Sequence, residues 1–225
     1  MGENIVALLR KRLRFIRAYI QFRYYRNPMM EKITHKDSGY QYYLSTQLIR
    51  TLQKKNAPLQ KRTQIMVDKL EVVAHLYNAR VLCVGCRNSA ELDYFESKEV
   101  SQVVGIDLYS EDPRIRVMDM HHIQYPDSYF DVLYSSHSLE HAHDVERVIA
   151  EFLRVVRSDG IIAIEVPVHF LPTAADLVDF DNLQNLHEAF GPNIKEILWT
   201  DEQEPQTNNN QSGNAIIRTI FRITK

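Results

Sequence analysis

Between Arg80 and Pro167 the sequence alternates short apolar runs with segments of helical periodicity, and this alternation limits the possible folds more than any other feature. Apolar runs of five to eight residues that lack strict alternation are typical of strands buried on both faces, as in parallel sheets covered by helices. We therefore predict an α/β fold with a largely parallel sheet. The predicted strands are 80–85, 100–107, 114–118, 130–135 and 161–166, followed by two closing strands at 194–199 and 215–223.

The clearest predicted helix covers 144–156, where apolar residues recur with helical spacing from Val145 to Val156. Asp144 is suited to cap its N-terminus. We expect Ser158-Asp159-Gly160 to end it, with the glycine in a left-handed turn. Further helices are predicted at 39–55, 61–77 and 88–97, and a polar, mobile hairpin loop at 201–213.

The net charge of −2 conceals a strong asymmetry. Residues 1–62 contain 14 Lys and Arg against three acidic residues, a charge of +11, which leaves −13 for the rest. The segment Ile5–Tyr25 predicts a basic amphipathic helix rich in aromatic residues, which is typical of helices that lie on a membrane surface. Its apolar face could instead pack on the main domain, or its charges could contact nucleic acid, which we consider the weaker alternative. We assign 1–60 to a basic helical extension or lid and 61–225 to the main domain.

The sequence contains neither an apolar run near the roughly 20 residues that span a bilayer nor a signal peptide. We therefore expect a cytoplasmic protein, with or without peripheral membrane contact. Cys83 and Cys86 are the only cysteines. A lone C-x-x-C pair could be a redox pair or half of a zinc site, but we favour two free thiols in a reducing compartment.

Polar residues follow the first three predicted strands. Gly85 lies between a strand and a helix, where a ligand can approach the backbone and the helix N-terminus offers free N–H groups. Asp107 lies 22 residues later, at the end of the second strand, and an acidic residue about 20 positions after the glycine is typical of ribose binding. Asp119 follows the third strand and can accept from an adenine amino group, with Met120 packing on the ring. These positions predict a nucleotide site.

The ordered segments VLCVGC, VVGIDL, DMHHIQYPDSYFDVLYSSHSLEH and RVVRSDGIIAIEVP resemble the methyltransferase-11-type branch of the class I S-adenosylmethionine-dependent methyltransferases. The resemblance covers about 90 residues, from 80 to 168, and depends on the order and spacing of the segments. It implies a Rossmann-like, seven-stranded, mostly parallel sheet with helices on both faces and one reversed strand. It also implies S-adenosylmethionine as the cofactor, lying over the carboxyl ends of the first strands.

The resemblance further implies which residues contact the cofactor. The predicted set is Gly85, Cys86, Arg87, Asp107, Leu108, Asp119, Met120 and Ser136. The glycine loop departs from the family, which often has G-x-G-x-G where this chain has Cys86, Arg87 and Ser89. Arg87 either pairs with the cofactor carboxylate or marks weakened binding.

Two histidines near the end of the fourth strand are the candidate catalytic bases. A hydroxyl acceptor requires a proton acceptor, for which we choose His141 first and His137 second. With Glu140 and His169 they also resemble the metal set of small-RNA 2′-O-methyltransferases, which have an E-x-x-E-H motif and a later histidine. Because His137 stands where that motif has glutamate, and because Leu-Glu-His occurs in relatives without a metal, we predict no metal site.

We therefore predict S-adenosylmethionine-dependent methyl transfer to a small-molecule or glycan-like acceptor, at oxygen. The compact chain leaves acceptor binding to the N-terminal helices and the loop 168–181. The alternative is a non-catalytic S-adenosylmethionine-binding or interaction module, suggested by the altered glycine loop. A nicotinamide-dependent dehydrogenase is disfavoured because the three-glycine fingerprint is missing.

Overall fold

The computed structural model describes residues 38–54, 58–86, 88–173, 175–204, 207–208, 211–212 and 215–225. The predicted helix at 5–25 lies outside these ranges. Within them, no helix has both the length and the apolar character that crossing a membrane requires.

The described residues form five α-helices, two 3-10 turns and nine strands. The helices are α1 (Ser38–Lys54), α2 (Lys61–Ala74), α3 (Ala90–Glu96), α4 (Val145–Val155) and α5 (Leu183–Phe190), and the 3-10 turns are Leu139–His141 and Gly191–Asn193. The strands are β1 (Arg80–Val84), β2 (Gln102–Asp107), β3 (Ile115–Val117), β4 (Phe130–Ser136), β5 (Val156–Val168), β6 (Ile194–Gln203), β7 (Thr207–Asn208), β8 (Gln211–Ser212) and β9 (Ala215–Ile223).

Seven strands form one sheet in the order β3-β2-β1-β4-β5-β9-β6. Strands β1 to β5 pair in parallel, and β9 runs antiparallel to both β5 and β6. This confirms the predicted Rossmann-like sheet with one reversed strand. The chain order reverses between β1 and β4, and ligands of open α/β sheets bind in the crevice at the carboxyl end of such a switch point.

Side chains from both faces of the sheet pack against helices. Leu82 and Val84 of β1 belong to a cluster that includes the apolar faces of α4 and α5. Val81 and Cys83 of the same strand belong to a second cluster with α2 and α3. Burial on both faces explains why the parallel strands are nearly continuous apolar runs. Cys83 and Cys86 are buried free thiols, and burial raises the pKa of each.

Helix α4 is present as predicted, and Oδ1 of Asp144 accepts a hydrogen bond of 3.0 Å from the Arg147 N–H at its N-terminus. The predicted ending is wrong. The helix ends at Val155 and β5 begins at once, so that the residue with positive φ is Asp159, at 61°, rather than Gly160. Gly160 is needed for packing instead, because a Cβ there would lie 2.8 Å from the carbonyl oxygen of Arg157.

Two other predicted boundaries differ from the structure. Helix α2 ends at Ala74 rather than Tyr77, because His75 adopts a left-handed conformation with φ 50°. The polar segment 201–213 is not wholly a loop: β6 continues to Gln203, and β7 pairs with β8. Asp201 lies on β6, where it accepts a 2.7 Å hydrogen bond from Arg218 of β9.

Candidate active site

An open cleft with an empty volume of about 500 Å³ lies at the carboxyl ends of β1, β2 and β4. Turns after the strands form its floor, and α1 contributes its roof. Its lining residues are Tyr43, Gln47, Arg50, Thr51, Val84, Gly85, Ile106, Asp107, Leu108, Met118, Asp119, Met120, His137, Ser138 and His141. Seven of the ten residues predicted for the site are therefore brought together here.

The turn after β1 requires glycine at position 85. Gly85 has a φ of 74°, and a Cβ there would lie 2.5 Å from Oγ of Ser138. That hydroxyl donates a 2.7 Å hydrogen bond to the carbonyl oxygen of Val84, and the Gly85 N–H donates to the carbonyl oxygen of Ile106 at 2.8 Å. The turn is thus held between β2 and the segment after β4, and it lines the cleft with backbone atoms.

Three predicted cofactor residues do not contribute a described side chain to the cleft. The Cys86 side chain is buried in the second core cluster, beside Gly105, so only its backbone is available to a ligand. Ser136 turns towards the core, where its hydroxyl donates a 3.1 Å hydrogen bond to Oε1 of Glu165. Arg87 lies outside the described residues.

Asp107 lies at the end of β2, beneath α1. Its Oδ1 accepts hydrogen bonds from the Leu108 N–H at 2.7 Å and from the Thr51 hydroxyl at 3.0 Å. The side chain is 7% exposed. Thr51 of α1 therefore contacts the carboxylate that was predicted to bind a ribose.

Asp119 is almost completely buried, and both of its carboxylate oxygens have partners. Oδ2 accepts a hydrogen bond from the Tyr40 hydroxyl of α1. Oδ1 accepts from the His121 N–H at 2.9 Å and lies 2.6 Å from Nδ1 of the same residue. Nε2 of His121 accepts from the backbone N–H groups of His143 and Asp144, so the ring proton is on Nδ1 and is donated to Asp119.

Helix α1 and the loop after β5 meet over the cleft. Nε2 of Gln47 donates a 2.6 Å hydrogen bond to the carbonyl oxygen of Ala175, and Arg50 binds Asp176 at 2.8 Å. Tyr43 lines the cleft from the same helix. Burial raises its pKa, and the nearby charge of Asp107 adds to this, so the Tyr43 hydroxyl stays protonated at neutral pH. Helix α1 thus lies over the cleft, and the assignment of residues 1–60 to a lid stays a prediction.

His137 follows β4 with a φ of 51°. Its Nε2 lies 3.1 Å from Oε1 of Glu165, a completely buried carboxylate that also pairs with Arg218. Burial by itself would raise the pKa of Glu165, but His137 and Arg218 outweigh it and the pKa is lowered. His137 is thus held at the wall of the cleft by an ionised carboxylate.

His141 lies between two carboxylates. Its Nδ1 is 3.1 Å from Oδ1 of Asp176, although the two atoms do not form a well-directed hydrogen bond, and its Nε2 is 3.8 Å from Oε1 of Glu140. The contacts of Asp176 with His141 and Arg50 hold the pKa of Asp176 well below its usual range. His169, which was considered with these residues in the sequence, is 55% exposed and lies beside Asp181 instead.

The sequence interpretation did not identify four residues that shape this site. Glu165 could have been found, because it is the one charged residue in the apolar run Ile161–Val168. Tyr40, Thr51 and Asp176 carry no such signal, since each reaches the site through contacts with residues distant in sequence.

Comparisons with known proteins agree with this geometry. The family described as "Methyltransferase domain" matches residues 82–164. A comparison with curated proteins found no match. The fold resembles the 1,6-didemethyltoxoflavin-N1-methyltransferase of Burkholderia thailandensis, solved with 1,6-didemethyltoxoflavin and S-adenosylhomocysteine, at 17% identity and a TM-score of 0.57 over 83% of this chain and 87% of that one.

Two further structures share the fold. One, proposed to be a sarcosine dimethylglycine methyltransferase from Galdieria sulphuraria, is 12% identical with a TM-score of 0.60, over 73% of this chain and 86% of that one. The other, the [4+2]-cyclase SpnF, is 16% identical with a TM-score of 0.58, over 83% of this chain and 94% of that one. At these identities the likeness concerns the fold.

Proposed function

We propose that this chain, which carries a methyltransferase domain of the class I, S-adenosylmethionine-dependent kind, methylates a hydroxyl group of a small-molecule or glycan-like acceptor. The proposal rests on one observation. The Gly85 turn, Asp107, Asp119 and the two histidines line the same cleft. Methyl transfer and the cofactor follow from the domain, whereas the acceptor and the methylated atom are our inference.

The residues of the cleft fit the cofactor. The Gly85 turn offers backbone atoms to the methionine part, in a space that a larger residue would fill. Asp107 and the neighbouring Leu108 would bind the ribose, since a carboxylate can accept from both hydroxyls. Asp119 with Met120 would bind the adenine, in competition with the Tyr40 hydroxyl for Oδ2.

The roof of the cleft supports a small acceptor or the end of a chain. Gln47 and Arg50 join α1 to the loop at Ala175 and Asp176, so the roof crosses the cleft directly above His141. Such a roof excludes water from the reacting groups. We infer that α1 and this loop bind the acceptor.

When bound, S-adenosylmethionine supplies an activated methyl group. The chain must hold the acceptor oxygen in line with that group, about 3 Å away, and must accept the hydroxyl proton. We assign the role of proton acceptor to His141. His137 is the second candidate, because its Nε2 already lies 3.1 Å from Oε1 of Glu165.

A non-catalytic S-adenosylmethionine-binding module is the second candidate. It is favoured by the altered glycine loop, in which Cys86, Arg87 and Ser89 stand where the family often has G-x-G-x-G. The shared fold of a [4+2]-cyclase also shows that this architecture is compatible with other chemistry.

Two measurements on the full chain test the proposal. Calorimetric titration with S-adenosylmethionine, S-adenosylhomocysteine and NAD should give binding of the first two only, and folded protein that binds neither contradicts the proposal. Incubation with ¹³C-methyl S-adenosylmethionine and pools of hydroxylated small molecules should then give O-methyl products, recognised by the methyl chemical shift. The variant His141→Asn should retain S-adenosylhomocysteine binding and lose transfer. Binding without any transfer favours the non-catalytic module.

We also propose an anionic membrane surface as the partner of the basic N-terminal segment. Residues 1–37 contain nine Lys and Arg against three acidic residues, with apolar residues at helical spacing. Flotation with phosphatidylserine vesicles should recover the protein, and reversing the charge of Arg10, Arg14 and Arg17 should abolish this. An RNA gel shift without vesicle binding contradicts the proposal.

A further inference from the structure

We propose that Glu140, His141 and Asp176 bind a divalent transition-metal ion at the wall of the cleft. One ligand atom from each residue lies within 4.8 Å of those from the other two. Glu140 and His141 belong to the 3-10 turn after β4, and Asp176 to the loop after β5. The sequence analysis predicted no metal site, because His137 stands where the motif of the small-RNA methyltransferases has glutamate and because Leu-Glu-His occurs in relatives without a metal. The approach of Asp176 to Glu140 and His141 could not be inferred from the sequence.

The backbone fixes the two parts of the site to each other. The carbonyl oxygen of Glu140 accepts hydrogen bonds from the N–H groups of Leu177 and Val178, at 2.8 and 3.0 Å. Leu177 directly follows Asp176, so the loop can move little relative to the 3-10 turn. The three side chains therefore converge through fixed backbone rather than through a chance approach of flexible residues.

Two buried polar atoms at this site form no hydrogen bond with a described residue. Glu140 is 1% exposed, and its Oε2 has no hydrogen-bond partner among the described residues. Nδ1 of His141, a residue that is 7% exposed, forms no hydrogen bond within the described part of the chain, although Oδ1 of Asp176 lies 3.1 Å away. Buried polar atoms without partners are rare and unfavourable, particularly on a carboxylate, and a cation shared by these atoms would satisfy both.

The charges of the neighbouring side chains are compatible with a bound cation. Arg50 and His141 both contact Oδ1 of Asp176, at 2.8 and 3.1 Å, and Oδ2 has the Thr173 hydroxyl at 3.5 Å. Each carboxylate oxygen can accept more than one partner, so Asp176 retains lone pairs for an ion. Oε1 of Glu140 lies 3.6 Å from Nδ1 of His137 and 3.8 Å from Nε2 of His141. Two carboxylates thus face one guanidinium and two imidazole rings, so that a negative charge remains when the rings are neutral, and this charge favours a cation.

The donor set determines the class of ion. Imidazole nitrogen with carboxylate oxygens suits Mn²⁺, Fe²⁺ or Zn²⁺ better than Mg²⁺, which prefers oxygen donors and water. Three protein ligands leave coordination positions free, and these can hold water or an oxygen atom of a ligand.

The chemical role of the ion, unlike its binding, rests on the proposed function. An acceptor hydroxyl bound to the ion would lose its proton more readily and would be held beside the methyl donor. With the ion bound, His141 would be a ligand of the ion, and the proton assigned to His141 in the proposed function would pass to His137, the second candidate base. Acceptors with two neighbouring hydroxyl groups, as in glycans, suit such a site because they can chelate the ion.

Titration of the tag-free full chain with Mn²⁺ tests the site. Binding is measured by calorimetry and by the decrease in the electron paramagnetic resonance signal of free Mn²⁺. We expect one ion per chain. Glu140→Gln and Asp176→Asn should each weaken binding by at least about tenfold. The control Asp181→Asn, in the same loop but 65% exposed, should leave the affinity unchanged.

S-adenosylhomocysteine binding and thermal unfolding are measured on the same samples. The proposal is overturned if the folded wild-type protein shows no saturable Mn²⁺ binding. It is also overturned if Glu140→Gln and Asp176→Asn bind Mn²⁺ as tightly as the control Asp181→Asn. Mn²⁺ binding that depends on Glu140 and Asp176, in protein that does not bind S-adenosylhomocysteine, supports the metal site and contradicts the proposed function alone.

Discussion

The hydroxyl of Tyr40 donates a hydrogen bond to Oδ2 of Asp119, 79 residues along the chain. It connects α1 to the residue that is expected to bind the adenine of the cofactor. Thr51, three turns further along the same helix, binds Asp107 in the same way. Helix α1 therefore contacts both carboxylates of the nucleotide site. The affinity for the cofactor depends on how readily the cofactor replaces the Tyr40 and Thr51 hydroxyls as the partners of these carboxylates.

We expect Tyr40→Phe to tighten S-adenosylhomocysteine binding. The substitution removes the hydroxyl that competes for Asp119 while it keeps the ring that packs against His121. A net hydrogen bond of about 0.5–1.5 kcal/mol corresponds to a gain of about two- to tenfold in affinity, measured by calorimetry. The free protein should become less stable, because Oδ2 of Asp119 loses its partner.

Tyr42→Phe is the matched control for this prediction. Tyr42 lies on the same helix but is 63% exposed, so its substitution should change neither affinity nor stability. Equal or weaker binding by Tyr40→Phe would show that the Tyr40 hydroxyl does not compete with the cofactor.

Asp107→Ala should weaken S-adenosylhomocysteine binding. Hydrogen bonds to a charged group contribute about 1.5–3 kcal/mol, which predicts a loss of at least tenfold in a calorimetric titration. Asp127→Ala, at a carboxylate that is 75% exposed and paired with Arg154, serves as the control. Unchanged affinity in Asp107→Ala would show that this carboxylate does not bind the ribose.

The sheet and most of the nucleotide site could be predicted because their signals are local. Each parallel strand is a short apolar run, and Asp107 and Asp119 were recognised because carboxyl ends of parallel strands meet at one edge. The end of α4 was misjudged since residues 157–160 are polar and look like a turn. They bulge out of β5 instead, where Phe130 pairs with Val156 but Val132 pairs with Ile161.

The roof of the site could not be predicted, for a physical reason. Tyr40, Thr51 and Asp176 bind residues far away in sequence, and no periodicity or spacing encodes which loop folds over which strand end. Cys86 is a residue that was predicted to contact the ligand because it follows Gly85 in the sequence. Its side chain instead fills the space beside Gly105.

Gly85→Ala should abolish or strongly weaken S-adenosylhomocysteine binding and lower the free energy of unfolding. The new Cβ meets both Cβ and Oγ of Ser138 at under 3 Å, in a backbone conformation that disfavours alanine. Overpacking of this kind costs about 1–3 kcal/mol, which urea denaturation can measure. In a Ser138→Gly background the same substitution should cost less, and an equal cost in both backgrounds contradicts the contact.

Arg218→Met should destabilise the protein by about 3–5 kcal/mol in urea denaturation, because it leaves the buried carboxylate of Glu165 without its main partner. The double variant Glu165→Gln, Arg218→Met should recover part of this loss. Arg222→Met is the control on the same strand, since its pair with Glu196 is partly exposed and worth about 1 kcal/mol at most. A similar loss in both arginine variants would contradict the importance of the buried pair.

The half-buried ring of His187 should make the stability of the protein fall on acidification. Burial lowers its pKa below the ordinary value of 6.5, and Nε2 lies 2.9 Å from the Thr219 hydroxyl. The unfolded chain therefore binds this proton at a higher pH than the folded protein. The stabilisation is fully present above the unfolded pKa and is lost as the pH falls from there through the folded pKa. In urea denaturation at several values between about pH 7.5 and 5.5, His187→Gln should reduce the pH dependence. The exposed His169→Gln should leave it unchanged, and equal slopes for wild type and His187→Gln would assign the dependence to other groups.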